Sequence, residues 1–149
     1  MRIMAIDYGD ARTGVALSDI TGLLAGQTFL VKSRKEDVVL EELTALAKEQ
    51  GAEELVLGYP KNMDGTLGPR AEKCAAFGER LKEATGLPVI LWDERRTTVD
   101  AHNILMNNGK NAKQRKKVVD AVAASLMLEG YLTFKRVQAQ RAQQEESHG

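Results

Sequence analysis

Near residue 33 the apolar residues change their spacing, and that change constrains the fold more than any other feature of the chain. Before it, three short apolar runs crowd together: residues 2–7, Gly14-Val15-Ala16-Leu17-Ser18, and Gln27-Thr28-Phe29-Leu30-Val31-Lys32. The turn cluster Asp7-Tyr8-Gly9-Asp10 separates the first pair, and Gly22 and Gly26 separate the second. Strands this close in sequence predict an antiparallel meander. After residue 35, Val39, Leu43, Leu46 and Ala47 recur at spacings of three and four, which predicts an amphipathic helix over 36–50 stopped at Gly51. A fourth strand, Glu54–Tyr59, ends at Pro60. Pro69 then opens a helix with Cys74, Phe77, Gly78 and Leu81 on one stripe, ending at Gly86. Leu87–Trp92 is the fifth strand, Thr97 or Thr98 caps a short helix running to Asn107-Asn108-Gly109, and a last helix covers about Lys113 to Phe134. A meander followed by alternating strands and helices predicts an α/β fold. Its sheet is mixed, with antiparallel strands first, parallel strands later and helices on the faces.

With 149 residues, 43% of them apolar, the chain can bury the core of one domain, expected over residues 1–135. The polar segment 136–149 is expected to fray. No apolar run approaches the roughly 20 residues that span a bilayer, so no membrane partner is expected. Met1 to Asp7 reads as a strand and lacks a secretory cleavage pattern, so a cytoplasmic protein is expected. A single cysteine, Cys74, excludes an internal disulfide framework and a thiolate zinc cluster; its place on an apolar stripe makes it a core residue. His102 and His148 have no partner at a recognised spacing. The 21 basic residues equal the 21 acidic ones, so any case for a polyanionic partner depends on where the charges sit.

Three acids occupy costly places. Asp7 ends an apolar strand, and Glu94 follows another. Asp120 lies within Val118-Val119-Asp120-Ala121-Val122-Ala123-Ala124, where an isolated carboxylate would be expensive to bury. Each could be an ordinary solvated acid, and Asp120 could pair with Lys116 or Lys117. Parallel strands, however, bring their carboxyl ends to one edge of a sheet. Asp7 and Glu94 would converge there if their strands share that edge, and the last helix could lay Asp120 beside them. Three oxygen donors without a Cys or His cluster suit Mg²⁺ or Mn²⁺. Such a set can hold two ions about 4 Å apart for phosphodiester cleavage.

Polar residues expected near the same edge fit a phosphate-bearing substrate. Arg12 and Thr13 lie in a turn between Gly9 and Gly14, Asn62 and Thr66 in the loop after the fourth strand, and Arg95 beside Glu94. The segment Lys110–Lys117 carries Lys113, Lys116 and Lys117 among five positive charges in eight residues. It reads either as a solvated face or as a loop that orders on a polyanion. With one Trp, three Phe and three Tyr, the chain offers no platform for stacking unpaired bases.

Four segments, taken in order, resemble the YqgF/RuvX family of pre-16S rRNA nucleases and Holliday junction resolvase-like proteins. They are Ile6-Asp7-Tyr8-Gly9 with Arg12-Thr13-Gly14; Leu57-Gly58-Tyr59-Pro60 with Asn62-Met63-Asp64-Gly65-Thr66; Trp92-Asp93-Glu94-Arg95-Arg96-Thr97-Thr98; and Lys117-Val118-Val119-Asp120-Ala121-Val122-Ala123-Ala124. The resemblance covers about Met1 to Phe134. It implies a ribonuclease H-like fold with a five-stranded mixed sheet, and a metal-dependent nuclease with Asp7, Glu94 and Asp120 as the acidic triad. It further implies structured RNA, in particular pre-16S rRNA and its small-subunit precursor, or branched DNA as partner, in a bacterial cytoplasm. A resolvase cutting two strands symmetrically would act as a homodimer, whereas an RNA-trimming enzyme can act as a monomer. Two other classes remain open. One is a non-catalytic RNA-binding module. The other is a nucleotide-dependent phosphotransferase, which would need a second such domain to close its cleft.

Overall fold

The computed structural model describes residues 1–22, 24–60, 64–93 and 112–148, with side chains throughout except within 112–122 and 145–148. Five strands, β1 (Ile3–Asp7), β2 (Arg12–Ser18), β3 (Ala25–Lys32), β4 (Glu54–Tyr59) and β5 (Val89–Asp93), form one sheet in the order β3-β2-β1-β4-β5. The β1–β2 and β2–β3 pairs are antiparallel, whereas β1–β4 and β4–β5 are parallel. This is the mixed sheet that the spacing of the apolar residues predicts.

Strand alternation sorts the core into two layers. On one face Met4, Ile6, Val15, Leu17, Leu55 and Leu57 pack against Val39 and Leu43 of α1 (Glu36–Glu49) and Phe77 and Leu81 of α2 (Pro69–Thr85). On the other, Ile3, Ala5, Ala16, Val56 and Trp92 meet Ala124, Met127, Leu128, Tyr131 and Leu132 of α3 (Ala112–His148). Small Ala side chains in the middle strands let α3 approach the sheet closely. Phe77 is fully buried and stacks on Tyr8, with centroids 4.0 Å apart; truncating such a residue to Ala costs about 3–5 kcal/mol.

Charged ties set the helices. Arg80 of α2 reaches Glu36 at 2.5 Å and Asp37 at 2.6 Å, in the first turn of α1. Gly86 ends α2 in the left-handed region, φ 70°, and donates its N–H to the Lys82 carbonyl. Buried Glu54, at the start of β4, accepts from the Tyr131 hydroxyl and pairs with Lys135 at 3.2 Å. This contact fixes α3 at the amino edge of the parallel strands.

One boundary differs from expectation. The last helix does not stop at Phe134: the polar segment expected to fray is helical through His148. It contains no proline, and glycine only at Gly149, while its Ala, Gln, Glu and Arg residues are good helix formers even when solvated. At its other end the helix begins at Ala112, close to the start expected near Lys113, so the described part of the basic run is helical and not a loop. The short helix expected from Thr97 or Thr98 lies outside the described residues. Among those described, no helix is long and apolar enough to cross a membrane.

Candidate active site at the carboxyl edge of the sheet

Because β1, β4 and β5 run parallel, Asp7, Tyr59 and Asp93 end at one edge. Asp7 pairs across the antiparallel ladder with Gly14. On its other side Ile6 pairs with Leu57, which brings Gly58 level with Asp7, and Gly58 pairs with Trp92. The row across the α3 side of the sheet therefore reads Gly14, Asp7, Gly58, Trp92. Asp7 is half-buried, with a residue lacking a side chain on each flank.

The turn after Asp7 is tightly closed. A Cβ on Gly9 would stand 2.1 Å from the Arg12 carbonyl oxygen, so only glycine lets the chain pass. Tyr8 turns to the opposite face, where its ring lies on Phe77 and its hydroxyl donates to Glu36 at 3.4 Å. Burial, then the negative charge of Glu36, pushes the Tyr8 phenol up to about 12. Arg70 donates through Nη2 to the Tyr8 carbonyl at 2.8 Å and through Nη1 to Asp10 at 3.1 Å. The Arg70 charge, aided by Lys73, holds Asp10 below the usual carboxylate range.

Arg12 begins β2 on the same face as Gly14 and Ala16, the face of Asp7. Its Nη1 is buried without a hydrogen-bond partner among the described residues. Thr13, expected as a contact beside Arg12, is fully buried on the other face with Val15, Leu17 and Val31, because successive strand residues alternate. Thr66 is exposed. Its N–H and hydroxyl both donate to Asp64 Oδ1, at 3.0 and 2.6 Å, in a local turn. Asn62, Glu94 and Arg95 lie outside the described residues. Asp120, Lys113, Lys116 and Lys117 lie on the first turns of α3, their side chains undescribed. Among the described residues no group of three His, Cys, Asp or Glu side chains is placed to hold a metal ion. Two of the three expected ligands fall beyond that description.

The sequence profile of the RuvX family, described as Holliday junction resolvase, matches residues 1–134. The chain belongs to the RuvX family. One relative, from Halothermothrix orenii, is 47% identical over 135 residues, covering 90% of this chain and 96% of that protein. Another, from Clostridioides difficile, is 46% identical over 136 residues, covering 90% and 95%. Each bears the name "Putative pre-16S rRNA nuclease". In fold, this RuvX-family chain is similar to T. thermophilus RuvC in complex with Holliday junction substrate, with a TM-score of 0.56 and 16% identity over 85% of this chain and 91% of that one. A second Thermus thermophilus RuvC structure gives a TM-score of 0.51 with 14% identity, covering 85% and 92%. The fold is thus ribonuclease H-like, as the sequence resemblance implied.

Arg70 and Glu36 take part in the surroundings of Asp7 without having been legible in the sequence. Each stands in the first turn of a helix, where charged residues are common on solvated faces. Only the geometry shows what they hold.

Proposed function

We propose that this chain is a divalent-metal-dependent nuclease that hydrolyses phosphodiester bonds in structured RNA, and that its task is maturation of the 5′ end of pre-16S rRNA in the cytoplasm. The observation that carries this reading is the half-buried Asp7, flanked by Gly14 and Gly58 at the carboxyl edge and joined on its face by Arg12, whose buried Nη1 has no partner among the described residues. With no side chain beside it on either neighbouring strand, the carboxylate is suited to a cation, and a guanidinium nitrogen with a free donor is suited to a phosphate.

Chain geometry supports the other two acids. Glu94 directly follows β5 in sequence, and β5 lies two strand spacings, about 10 Å, from β1. Tyr131 marks the level of Glu54, which pairs with Ile3. Position 120 lies eleven residues, about 16 Å, before Tyr131 along α3, toward its amino end. In sequence, Asp120 precedes the buried Ala124 by four residues.

In this reading Asp7, Glu94 and Asp120 hold Mg²⁺ or Mn²⁺, a fit to an all-carboxylate oxygen donor set. A divalent ion there supplies Lewis acidity, lowering the proton affinity of water and neutralising charge on the scissile phosphate. Arg12 would orient a neighbouring phosphate, and Arg95, Asn62, Thr66 and the basic start of α3 with Lys113, Lys116 and Lys117 would hold the strand. The family's description favours branched DNA as a second substrate for the same chemistry. Cleavage of a precursor rRNA fragment and of a four-way DNA junction should be compared with Mg²⁺, Mn²⁺ or chelator present. The RNA reading requires metal-dependent cutting of the RNA that is lost in Asp7→Asn. Preferential cutting of the junction by a dimer would overturn it in favour of a resolvase, and metal-independent cutting would remove the ion from the mechanism.

A further inference from the structure

We infer that Arg70 is a positioning residue for the Asp7 carboxylate, an inference that rests on the reading of Asp7 as a metal ligand. Arg70 reaches the turn from α2, on the face of the sheet opposite α3. Its guanidinium forks, one nitrogen on the Tyr8 carbonyl at 2.8 Å and the other on Asp10 at 3.1 Å. Residue 8 is thereby held twice: by its ring against Phe77 and by its carbonyl against Arg70. A residue pinned at both side chain and backbone restrains the one before it, and that residue is Asp7.

The two halves of the fork differ in importance. Arg70 and Asp10 are 47% and 68% exposed, and ion pairs at that exposure add little stability. Lys73 already reaches Asp10 at 3.5 Å. Among the interactions described, only Arg70 supplies the bond to the Tyr8 carbonyl, and a planar guanidinium can make it while still holding Asp10. Alignment of the turn, more than stability, is therefore its distinct contribution. With both terminal nitrogens engaged and its charge opposed by Asp10, Arg70 is also poorly free to clamp a substrate phosphate.

Mn²⁺ binding by calorimetry tests this on the whole chain without substrate, using wild type, Asp7→Asn, Arg70→Gln and Arg70→Lys. Arg70→Gln should weaken Mn²⁺ binding about tenfold. It should lower kcat at unchanged substrate KM while the thermal midpoint stays within a few degrees. Arg70→Lys, able to reach either acceptor but not both, should fall between. Wild-type Mn²⁺ affinity and kcat in Arg70→Gln would overturn the assignment. So would a loss confined to substrate KM, which would make Arg70 a phosphate contact. Failure of the underlying reading looks different: wild type itself would bind Mn²⁺ no better than Asp7→Asn, and the Arg70 assignment would fall with it.

Discussion

Asp7 and Gly14 face each other across the β1–β2 ladder, so no side chain stands opposite the carboxylate on that flank. Gly58 repeats the arrangement on the other flank, one strand over in β4. A strand interior is a poor place for glycine, since it packs nothing and raises the entropy lost on folding. Two buried glycines bracketing one acid therefore leave a gap in the row of side chains beside it. The floor of the candidate site is built from this gap, and the closed turn from Gly9 to Arg12 brings an arginine back to its rim.

Filling that gap should impair function more than folding. Gly58→Ala adds one methyl beside Asp7, and overpacking at a buried strand position costs about 1–3 kcal/mol. Activity should fall about tenfold or more, because small misplacements of reacting groups are expensive. Denaturant melts run beside cleavage assays check this; a variant with full activity would show that the gap is incidental.

Removing the acid itself should leave the fold intact. Asp7 is half-buried at a strand end, and Asn has nearly its shape. Several kcal/mol of transition-state stabilisation assigned to a bound cation correspond to a loss of about 10²–10³-fold in kcat for Asp7→Asn. Single-turnover cleavage at saturating Mg²⁺ measures it, and undiminished turnover would remove Asp7 from the mechanism.

Alkaline stability should report on the Tyr8 anchor. Its phenol is raised from 10.0 to about 12 in the folded protein, chiefly by burial and then by Glu36. The folded state therefore holds this proton where the unfolded chain has released it. The stabilisation is complete below pH 10 and is lost as the pH rises from about 10 to 12. Urea melts across that range should show stability falling with pH, and Tyr8→Phe should flatten the slope. An unchanged slope in the variant would place the titration elsewhere.

Substrate affinity should be steeply salt-dependent. The start of α3 gathers Lys113, Arg115, Lys116 and Lys117 over little more than one helical turn. Each phosphate neutralised on a duplex contributes about −0.9 to the slope of log K against log salt. Lys116→Glu with Lys117→Glu should reduce that slope by roughly two and weaken binding without changing the thermal midpoint by more than a few degrees. Fluorescence anisotropy titrations at several salt concentrations measure it, and an unaltered slope would return these lysines to a solvated face.

The sheet was legible because its apolar runs are short, bounded by Gly and Pro, and followed by helices with a clear stripe such as Val39, Leu43 and Ala47. Asp7 stood out because an acid ending the run Ile3–Ile6 has no packing reason to be there. Element ends were harder to read. The polar segment after Phe134 looks unstructured by hydropathy, yet nothing in it breaks a helix before His148. Thr13 sits next to Arg12 in sequence but on the opposite face, a distinction that needs the strand's register. Arg70 and Glu36 read as surface charges, since the two acceptors Arg70 serves lie 60 and 62 residues away and the hydroxyl Glu36 receives lies 28 away.

Diffraction from crystals grown with Mn²⁺, collected at the manganese absorption edge, tests the central claim most directly. The account predicts an anomalous peak beside Asp7, about 2.1 Å from its carboxylate oxygen, with Glu94 and Asp120 completing the shell. A well-ordered edge with no peak there, or with the three carboxylates directed away from one another, would contradict it.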